Sequence, residues 1–336
     1  MTSPISVGLI GFGRWVREAY CPILKELSDV KVAAVAARSE ATRSLAHDTF
    51  GGGLELYSDY EALLRNGRVQ VVMIALPNQL HAAATAAASA ADKHVFYEPP
   101  IGLTPQQTRH VLDVLSKSKR LSQVDLELRY LPVIDAVHRI INDGKVGEVR
   151  MAKVRLWCDW GYDKANLEQE FGEEGFFLWL GCWYLDLLDA IFGQAPVHAN
   201  VVGGFAMNGR LMDHGWATLG YPHGRIGQFE FSIVAPQSQQ NSFYVTGSEG
   251  EIEADIETGR YRWHTRGSTW EEGVAECSHP VFGFVGMRES IRDFFSAIRE
   301  DRYTKADPEV SHRVHSAALA CAQAEVEYRT KTLKGD

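Results

Sequence analysis

The sequence predicts an α/β protein with two domains: an N-terminal Rossmann domain built on a doubly wound parallel sheet, and a C-terminal α+β domain with an open, mainly antiparallel sheet. Three observations support this prediction. An apolar run of strand length, residues 5–10, ends in the turn G-F-G, where a helix-like segment begins. Strand-like and helix-like segments then alternate as far as residue 125. Beyond residue 195, strand-like runs follow one another with short turns that contain glycine, which is typical of an antiparallel sheet.

The chain is long enough for two domains, each with its own core. It has 336 residues, of which 45% are hydrophobic. The change of rhythm after residue 125 places the predicted boundary there, which gives domains at 1–125 and 126–336. We expect the last helix, near residues 308–328, to pack back on the first domain.

The first turn has the residues that a dinucleotide requires. Gly11 permits a tight turn, and Gly13 lets a pyrophosphate approach the backbone, where free N–H groups at a helix N-terminus attract anions. The third position of the fingerprint falls at Val16 instead of glycine. Glycine turns also end many ordinary buried strands. The alternation of strand-like and helix-like segments after the turn is what favours a coenzyme site.

The remaining elements of the first domain follow from composition and spacing. The segment V-Q-V-V-M-I-A is almost wholly apolar, as expected for a strand buried on both faces of a parallel sheet. Predicted strands cover residues 5–10, 31–37, 69–75, 94–97 and 121–126. Predicted helices cover residues 14–27, 40–50, 59–65, 80–91 and 105–118.

The end of the second strand bears on the choice of coenzyme. An NAD site usually has an acidic residue here that binds the ribose 2′-hydroxyl, whereas this chain has Arg38 and Ser39. A guanidinium suits a 2′-phosphate, so the sequence favours NADP over NAD as cofactor and leaves both open. Alternatively, Arg38 lies at an exposed strand end and binds no ligand.

The second half of the chain begins with an amphipathic helix at 131–142 and an alternating strand at 148–159. An acidic loop at 163–174 and an apolar, aromatic helix at 176–192 follow. Predicted strands then cover residues 197–205, 216–221, 225–234, 241–246, 251–255 and 260–265, before helices at 284–300 and 308–328.

Composition excludes several classes of function. The net charge of −9 and the pI of about 5.8 argue against nucleic acid and anionic membrane surfaces as partners. No apolar run reaches membrane-spanning length, and the first residues lack a secretory pattern. Five scattered cysteines suggest reduced thiols and a cytoplasmic location. We expect no metal site, because His312 and His315 have no third ligand at metal-binding spacing.

Five motifs follow one another along nearly the whole chain: V-G-L-I-G-F-G-R-W, I-A-L-P-N-Q-L-H, H-V-F-Y-E-P-P, L-R-Y-L-P and G-C-W-Y-L-D-L-L. In this order they resemble the glucose–fructose oxidoreductase/inositol dehydrogenase family (Gfo/Idh/MocA). The resemblance implies an NAD(P)-binding Rossmann domain at 1–125, followed by an open-sheet domain at 126–336 for substrate binding and oligomerisation. It also implies hydride transfer between NAD(P) and a sugar, cyclitol or related small hydroxy or oxo compound, and a homo-oligomer, dimer or tetramer, formed through the open sheet face.

The chain departs from this family at its catalytic positions. The family's E-K-P motif supplies a lysine beside the nicotinamide, and the matching residue here is Pro99. The family's helix carries an Asp and, four residues later, a His that acts as acid and base. The matching residues here are Trp179 and Trp183, and only Asp186 remains one turn further on. Proline and tryptophan cannot exchange a side-chain proton near neutral pH, so the family's usual centre is absent.

The sequence leaves three candidates for proton transfer, Tyr184, Asp186 and Tyr97, with Glu98 and His81 as possible helpers. The alternative for each is an ordinary buried side chain with an ordinary partner. Predicted coenzyme-binding residues are Gly11, Phe12, Gly13, Arg14, Trp15, Arg38, Ser39, Leu76, Pro77, Asn78, His81, Glu98 and Pro99. Predicted substrate-binding residues are Trp179, Trp183, Arg129 and Tyr162.

Three functions are compatible with these residues. The first is an NAD(P)-dependent oxidoreductase with a non-standard catalytic centre. The second is a sensor or regulatory protein that binds coenzyme and ligand without turnover, with the two indoles stacked on the ligand or packed in the core. The third is an enzyme of another class on the same scaffold, which the loss of acid–base groups also disfavours.

Overall fold

A computed structural model of the chain describes residues 3–159, 161, 175–207, 211–236, 239–276 and 286–332. The described residues form two compact units, one from residues 1–127 and 279–312 and the other from residues 128–278 and 313–336. The predicted acidic loop at 163–174 and the candidate Tyr162 lie outside the described residues.

Strands of the first unit form one parallel sheet in the order β3-β2-β1-β4-β5-β6. This order runs outward in both directions from β1, so a crevice opens between the carboxyl ends of β1 and β4, where ligands of such sheets bind. Within the described residues, the strands of this sheet are β1 (Ile5–Ile10), β2 (Val30–Ala36), β3 (Glu55–Tyr57), β4 (Val71–Ile74), β5 (His94–Tyr97) and β6 (Ser122–Val124).

The second unit contains a larger sheet in the order β14-β13-β12-β11-β7-β10-β9-β8. Only the β7–β10 pair is parallel among its described pairs. Its strands are β7 (Val149–Trp157), β8 (His198–Gly204), β9 (His214–Tyr221), β10 (Arg225–Ser232), β11 (Gln240–Gly247), β12 (Gly250–Asp255), β13 (Arg260–Thr265) and β14 (Glu271–Val274). The predicted fold class is therefore confirmed for both sheets.

The helices complete the two units. In chain order the α-helices are α1 (Cys21–Glu26), α2 (Glu40–Phe50), α3 (Tyr60–Leu64), α4 (Asn78–Ala90), α5 (Pro105–Lys117), α6 (Pro132–Asn142), α7 (Cys182–Phe192), α8 (Met287–Glu300) and α9 (Pro308–Thr332). π-Helical turns, Val16–Tyr20 and Phe177–Gly181, precede α1 and α7. In the described part of the chain, no helix has both the length and the apolar run needed to cross a membrane.

Helix α8 belongs to the first unit, although the sequence boundary assigned it to the second domain. Its apolar face carries Met287, Ile291, Phe294 and Phe295, all without exposed surface, and packs in the core that contains Phe96 of β5. The ring centroids of Phe294 and Phe96 lie 5.4 Å apart. The spacing of these residues predicts an amphipathic helix but not the sheet that it covers, because periodicity shows only which face is buried.

The second sheet has one buried face and one open face. Phe229 and Phe231 of β10 lie on the buried face, where Phe176 stacks on Phe231 at a centroid distance of 4.1 Å. On the other side of the strands, Met151 and Trp216 remain about half exposed. Homo-oligomerisation through this open face stays a prediction.

The packing of α8 leads to a stability prediction. Replacing the fully buried Phe294 with alanine leaves a cavity beside Phe96, and we expect a loss of about 3–5 kcal/mol in the free energy of unfolding. Denaturant titration of Phe294→Ala measures this loss. Tyr303→Ala is the matched control, because Tyr303 is 81% exposed and its loss should change stability by less than about 0.5 kcal/mol. An equal effect of the two changes would contradict the assignment of α8 to this core.

Candidate functional site

The turn after β1 fits a bound phosphate. Gly11 has φ +93°, and its N–H donates to Ala36 O at 2.9 Å. A Cβ at Gly11 would lie 2.1 Å from Ala75 O, so only glycine can occupy this position. At Gly13 a Cβ would meet no atom within 4 Å, so the backbone there is open to a ligand. The N–H groups beyond Gly13 start the helical run and can face an anion.

The loop after β4 borders this turn. Ala75, Leu76 and Pro77 connect β4 to α4, which begins at Asn78. A Cβ at Gly11 would also approach Leu76 Cδ2 at 3.4 Å, so the two loops are in contact. His81, in the first turns of α4, is buried, and its Nε2 lies 2.7 Å from Leu76 O. The structure therefore brings these predicted coenzyme residues together at one edge of the first sheet.

The end of β2 carries two guanidinium groups. Arg38 is exposed, and Ser39 caps α2 by accepting a hydrogen bond from Thr42 N at 3.1 Å. Arg43 Nη1 donates to the carbonyl oxygens of Ala37 and Arg38 at 2.7 and 2.8 Å. Sequence reasoning missed Arg43, although its position four residues after the N-cap places it on the first turn of α2, back over the strand end.

Glu98 ties the helix after the glycine turn to the end of β5. Its Oε1 accepts a hydrogen bond from Trp15 Nε1 at 2.5 Å and another from the hydroxyl of Tyr20. Its backbone N–H donates to Ile74 O at 3.2 Å. Glu98 is buried, so its carboxyl group fixes the conformation of the protein and does not lie free in solvent.

A second buried carboxyl group, Asp125, lies beside Glu98. Burial raises the pKa of Glu98 from its ordinary value of 4.5 to about 7, against the hydrogen bonds from Tyr20 and Trp15, which lower it. Burial and the charge of Glu98 raise the pKa of Asp125 well above its ordinary range. Ser290 Oγ, from α8, donates to Asp125 Oδ1 at 3.1 Å. The two carboxyl groups therefore retain a proton near neutral pH, because two adjacent buried charges repel.

The role of Asp125 and Tyr20 was not predicted from the sequence. Asp125 lies at the predicted domain boundary, and Tyr20 lies in the middle of the first predicted helix. Tyr20 lies five residues after Trp15, more than one turn of a regular α-helix, so the spacing alone gives no signal that both side chains reach Glu98.

Two of the candidates for proton transfer have no exposed surface. Tyr97 and Asp186 are 0% exposed, whereas Tyr184 is 5% exposed. Burial raises the pKa of the Tyr97 phenol well above its ordinary range. The ring of Tyr184 stacks on Phe229 at a centroid distance of 5.3 Å. Tyr184 is the candidate of the three that keeps a small exposed fraction.

Arg129 and Asp186 lie in a buried network of ion pairs. Arg129 Nε donates to Asp186 Oδ1 at 3.0 Å, and its Nη2 donates to Asp189 Oδ2 at 2.9 Å. Arg313 Nε donates to Asp189 Oδ1 at 2.6 Å. Burial raises the pKa of Asp186 to about 6, and the charge of Arg129 opposes this rise. Arg129 is thus engaged by carboxylates of α7, which favours a structural role over the predicted contact with substrate.

The residues predicted from the motifs to match the family's catalytic positions have no proton-exchanging group. Trp179 and Trp183 are half-buried and lie four residues apart on the helical segment formed by Phe177–Gly181 and α7. Pro99 is buried after β5 and is joined to Pro100 by a cis peptide bond. Among the described residues, no group of three or more His, Cys, Asp or Glu side chains is placed to hold a metal ion.

Comparison with protein families settles the relationship. The NAD-binding Rossmann-fold model of the Gfo/Idh/MocA oxidoreductase family matches residues 5–126, and the Gfo/Idh/MocA C-terminal domain model matches residues 134–253. The chain belongs to the Gfo/Idh/MocA family. The resemblance predicted from the sequence motifs is therefore confirmed.

Individual relatives are more distant. Trans-1,2-dihydrobenzene-1,2-diol dehydrogenase of Mus musculus is 27% identical over 252 residues, which cover 73% of this chain and 72% of the relative. Inositol 2-dehydrogenase of Salmonella typhimurium is 28% identical over 152 residues, 45% of each chain. A solved levoglucosan dehydrogenase in complex with NADH and levoglucosan superimposes with a TM-score of 0.84 at 19% identity, covering 97% of this chain and 98% of that chain. This last likeness shows the shared fold.

The buried carboxyl pair leads to a prediction about pH and stability. The folded protein binds the Glu98 proton more tightly than the unfolded chain does, because its pKa rises from 4.5 to about 7 on folding. The contribution of Glu98 to the free energy of unfolding is therefore fully present below about pH 4.5 and is lost as the pH rises through about 7. We expect Glu98→Gln to flatten this decline, as measured by denaturant titration across the pH range.

Two further variants test the assignment. Asp125→Asn removes the other member of the pair and should flatten the same decline. Glu40→Gln changes an exposed carboxylate of the same unit and should leave the decline as in the wild type. A decline that survives both Glu98→Gln and Asp125→Asn would show that other groups cause it.

Proposed function

We propose that this protein is an NAD(P)-dependent oxidoreductase that acts on a sugar, a cyclitol or a similar small hydroxy or oxo compound. The observation that carries the proposal is the Gly11–Gly13 turn, closed against Ala75 on one side and open at Gly13 on the other, at the crevice between β1 and β4. Family membership supports it, and so do the relatives, which are named for inositol, dihydrodiol and levoglucosan substrates.

The nicotinamide coenzyme would supply or accept the hydride, and this chain would hold it at the edge of the first sheet. Gly13 and the N–H groups after it are placed to bind the phosphates. Arg38 and Ser39, at the end of β2, are placed for the adenosine ribose, and we propose that Arg38 prefers the 2′-phosphate of NADP. The loop Leu76–Asn78 would line the opposite side of the crevice.

A hydroxyl group that loses a hydride must also lose a proton, and the family's lysine and histidine are absent here. We propose Tyr184 as the proton carrier, because it retains exposed surface and directly follows Trp183 on the helix that matches the family's catalytic segment. Trp179 and Trp183 are proposed to stack on the apolar face of the substrate ring. The sequence-based candidates Tyr97 and Asp186 are better suited to structural roles, because neither has exposed surface.

A second function is favoured by a specific observation. Two of the three acidic groups considered for proton transfer are fully buried, and Asp186 is paired with Arg129. A protein that binds coenzyme and ligand as a sensor, without turnover, needs no proton carrier. The presence or absence of turnover distinguishes the two functions, while both require coenzyme binding.

The openness of the turn at Gly13 gives the first test. Gly13→Ala adds a methyl group where no protein atom lies within 4 Å, so the fold should be unaffected while the methyl occupies the space of a phosphate. We expect the Kd for NADH or NADPH, measured by quenching of tryptophan fluorescence, to rise about tenfold or more. Gly67→Ala, which also adds a methyl into open space, is the matched control and should bind as the wild type does. Unchanged affinity in Gly13→Ala would place the phosphates elsewhere.

Coenzyme preference is tested at the end of β2. Arg38→Ala should weaken NADPH binding by about tenfold, because a charge-assisted contact to the 2′-phosphate is lost, and should leave NADH binding unchanged. The control Arg109→Ala removes an exposed arginine from α5 and should affect neither coenzyme. Equal losses for NADPH and NADH in Arg38→Ala would exclude recognition of the 2′-phosphate.

Turnover tests the proposed proton carrier. We expect a screen of sugars and cyclitols with NAD(P)H or NAD(P)⁺ to find activity in the wild type, and Tyr184→Phe to lower kcat by about 10²–10⁴ with coenzyme affinity unchanged. Tyr221→Phe is the control, because this buried tyrosine of the same unit lies against Phe192 and has no proposed role in the chemistry. Coenzyme binding without turnover across the screen would favour the sensor.

A further inference from the structure

His81 joins the two loops that end at the coenzyme edge of the first sheet. Its Nε2 lies 2.7 Å from Leu76 O, in the loop after β4, and its Nδ1 lies 3.0 Å from Pro100 O, in the loop after β5. The side chain is 2% exposed, so water cannot replace either partner. The imidazole is therefore a bridge between two backbone segments.

The chemistry of this bridge requires two donors. A carbonyl oxygen only accepts hydrogen bonds, and a neutral imidazole has one N–H, so a neutral His81 leaves a nitrogen lone pair facing an oxygen. An imidazolium has an N–H on each nitrogen and satisfies both carbonyl groups. The geometry of the two loops thus matches the protonated form of His81.

Without a ligand, burial opposes that form. Desolvation lowers the pKa of His81 below its ordinary value, although the carbonyl groups of Pro100 and Leu76 raise it. Among the described residues, no charged side chain contributes to this pKa. The loop that His81 contacts through Pro100 also carries Glu98, two residues earlier, whose partner is Asp125. A nearby anion would offset the desolvation cost of the buried imidazolium.

The position of His81 shows where such an anion would bind. Leu76, whose carbonyl group His81 contacts, lies against the Gly11 turn, because a Cβ at Gly11 would come within 3.4 Å of Leu76 Cδ2. The imidazole is therefore linked through Leu76 to the turn that is proposed to hold the pyrophosphate. In a low-dielectric interior, a charge at this depth interacts with a bound phosphate more strongly than it would in water.

We propose that His81 becomes doubly protonated when a dinucleotide binds, so that coenzyme binding takes up a proton from solvent and strengthens the bridge between the loops after β4 and β5. This inference rests on the proposed coenzyme site. His81 is a positioning residue in this scheme, since it acts through the carbonyl groups of Leu76 and Pro100. The imidazolium would also provide a positive charge near the crevice. The family's lysine would provide such a charge, but this chain has Pro99 in its place.

The test is calorimetry of NADH and NADPH binding to the full chain at neutral pH, in buffers that differ in ionisation enthalpy. The dependence of the observed heat on buffer gives the number of protons taken up, which we expect to approach about one. The Kd should correspondingly rise with pH, by up to about tenfold per pH unit above the pKa of the free protein. Nitrogen NMR of the His81 ring, with and without NADH, should show the imidazolium only in the complex.

Two variants assign the proton. His81→Gln retains a donor nitrogen but cannot gain a charge, so its binding heat should not depend on the buffer. His94→Gln, the matched control, changes a partly buried histidine at the opposite end of β5 and should keep the uptake. Uptake that persists in His81→Gln, or that disappears in His94→Gln, would overturn the inference.

The same experiment separates this inference from the proposed function. Binding heat without any buffer dependence would support coenzyme binding and reject the protonation of His81. No binding heat for either coenzyme in the wild type would reject both.

Discussion

The close approach of Gly11 to Ala75 is the constraint on which the coenzyme edge depends. With a Cβ excluded by the oxygen of Ala75, the chain turns sharply after β1 and leaves the backbone at Gly13 uncovered. The same contact sets the position of the loop after β4, since Leu76 also lies against Gly11. Glu98 then holds the following helix through Trp15 and Tyr20. The turn proposed to bind phosphate is thus fixed from both sides by the protein itself, and a site fixed in this way has a lower ordering cost of binding.

The two units stabilise buried carboxyl groups in different ways. In the first unit, Glu98 and Asp125 keep a proton between them, with Ser290 as a neutral donor. In the second unit, the carboxylates of α7 are neutralised by two guanidinium groups, Arg129 and Arg313. A shared proton remains exchangeable and responds to pH, whereas a buried ion pair resists change until a partner is removed. The first arrangement suits an edge that binds a ligand, and the second suits a scaffold.

Local sequence patterns predicted many of the strands and helices of this fold, but they did not predict contacts between distant segments. The Gly11 turn, the buried strand at β4 and the order of the family motifs follow from composition over a few residues. The short edge strand β3 and the strand β14 were missed, because few residues carry their pattern. The assignment of α8 to the first unit depends on tertiary packing that periodicity does not encode.

The site was predicted less completely, for a related reason. A positive φ, such as that of Gly11, favours glycine and can therefore be predicted from the sequence. The distant residue that a side chain contacts cannot be predicted from the residue type alone. Asp125 therefore escaped notice, and Arg129 was assigned to substrate although it pairs with Asp186. Pro99 has no side-chain amine, because its ring nitrogen is part of the backbone amide. A carbonyl compound near this residue therefore cannot condense with position 99 to form a carbinolamine or an imine.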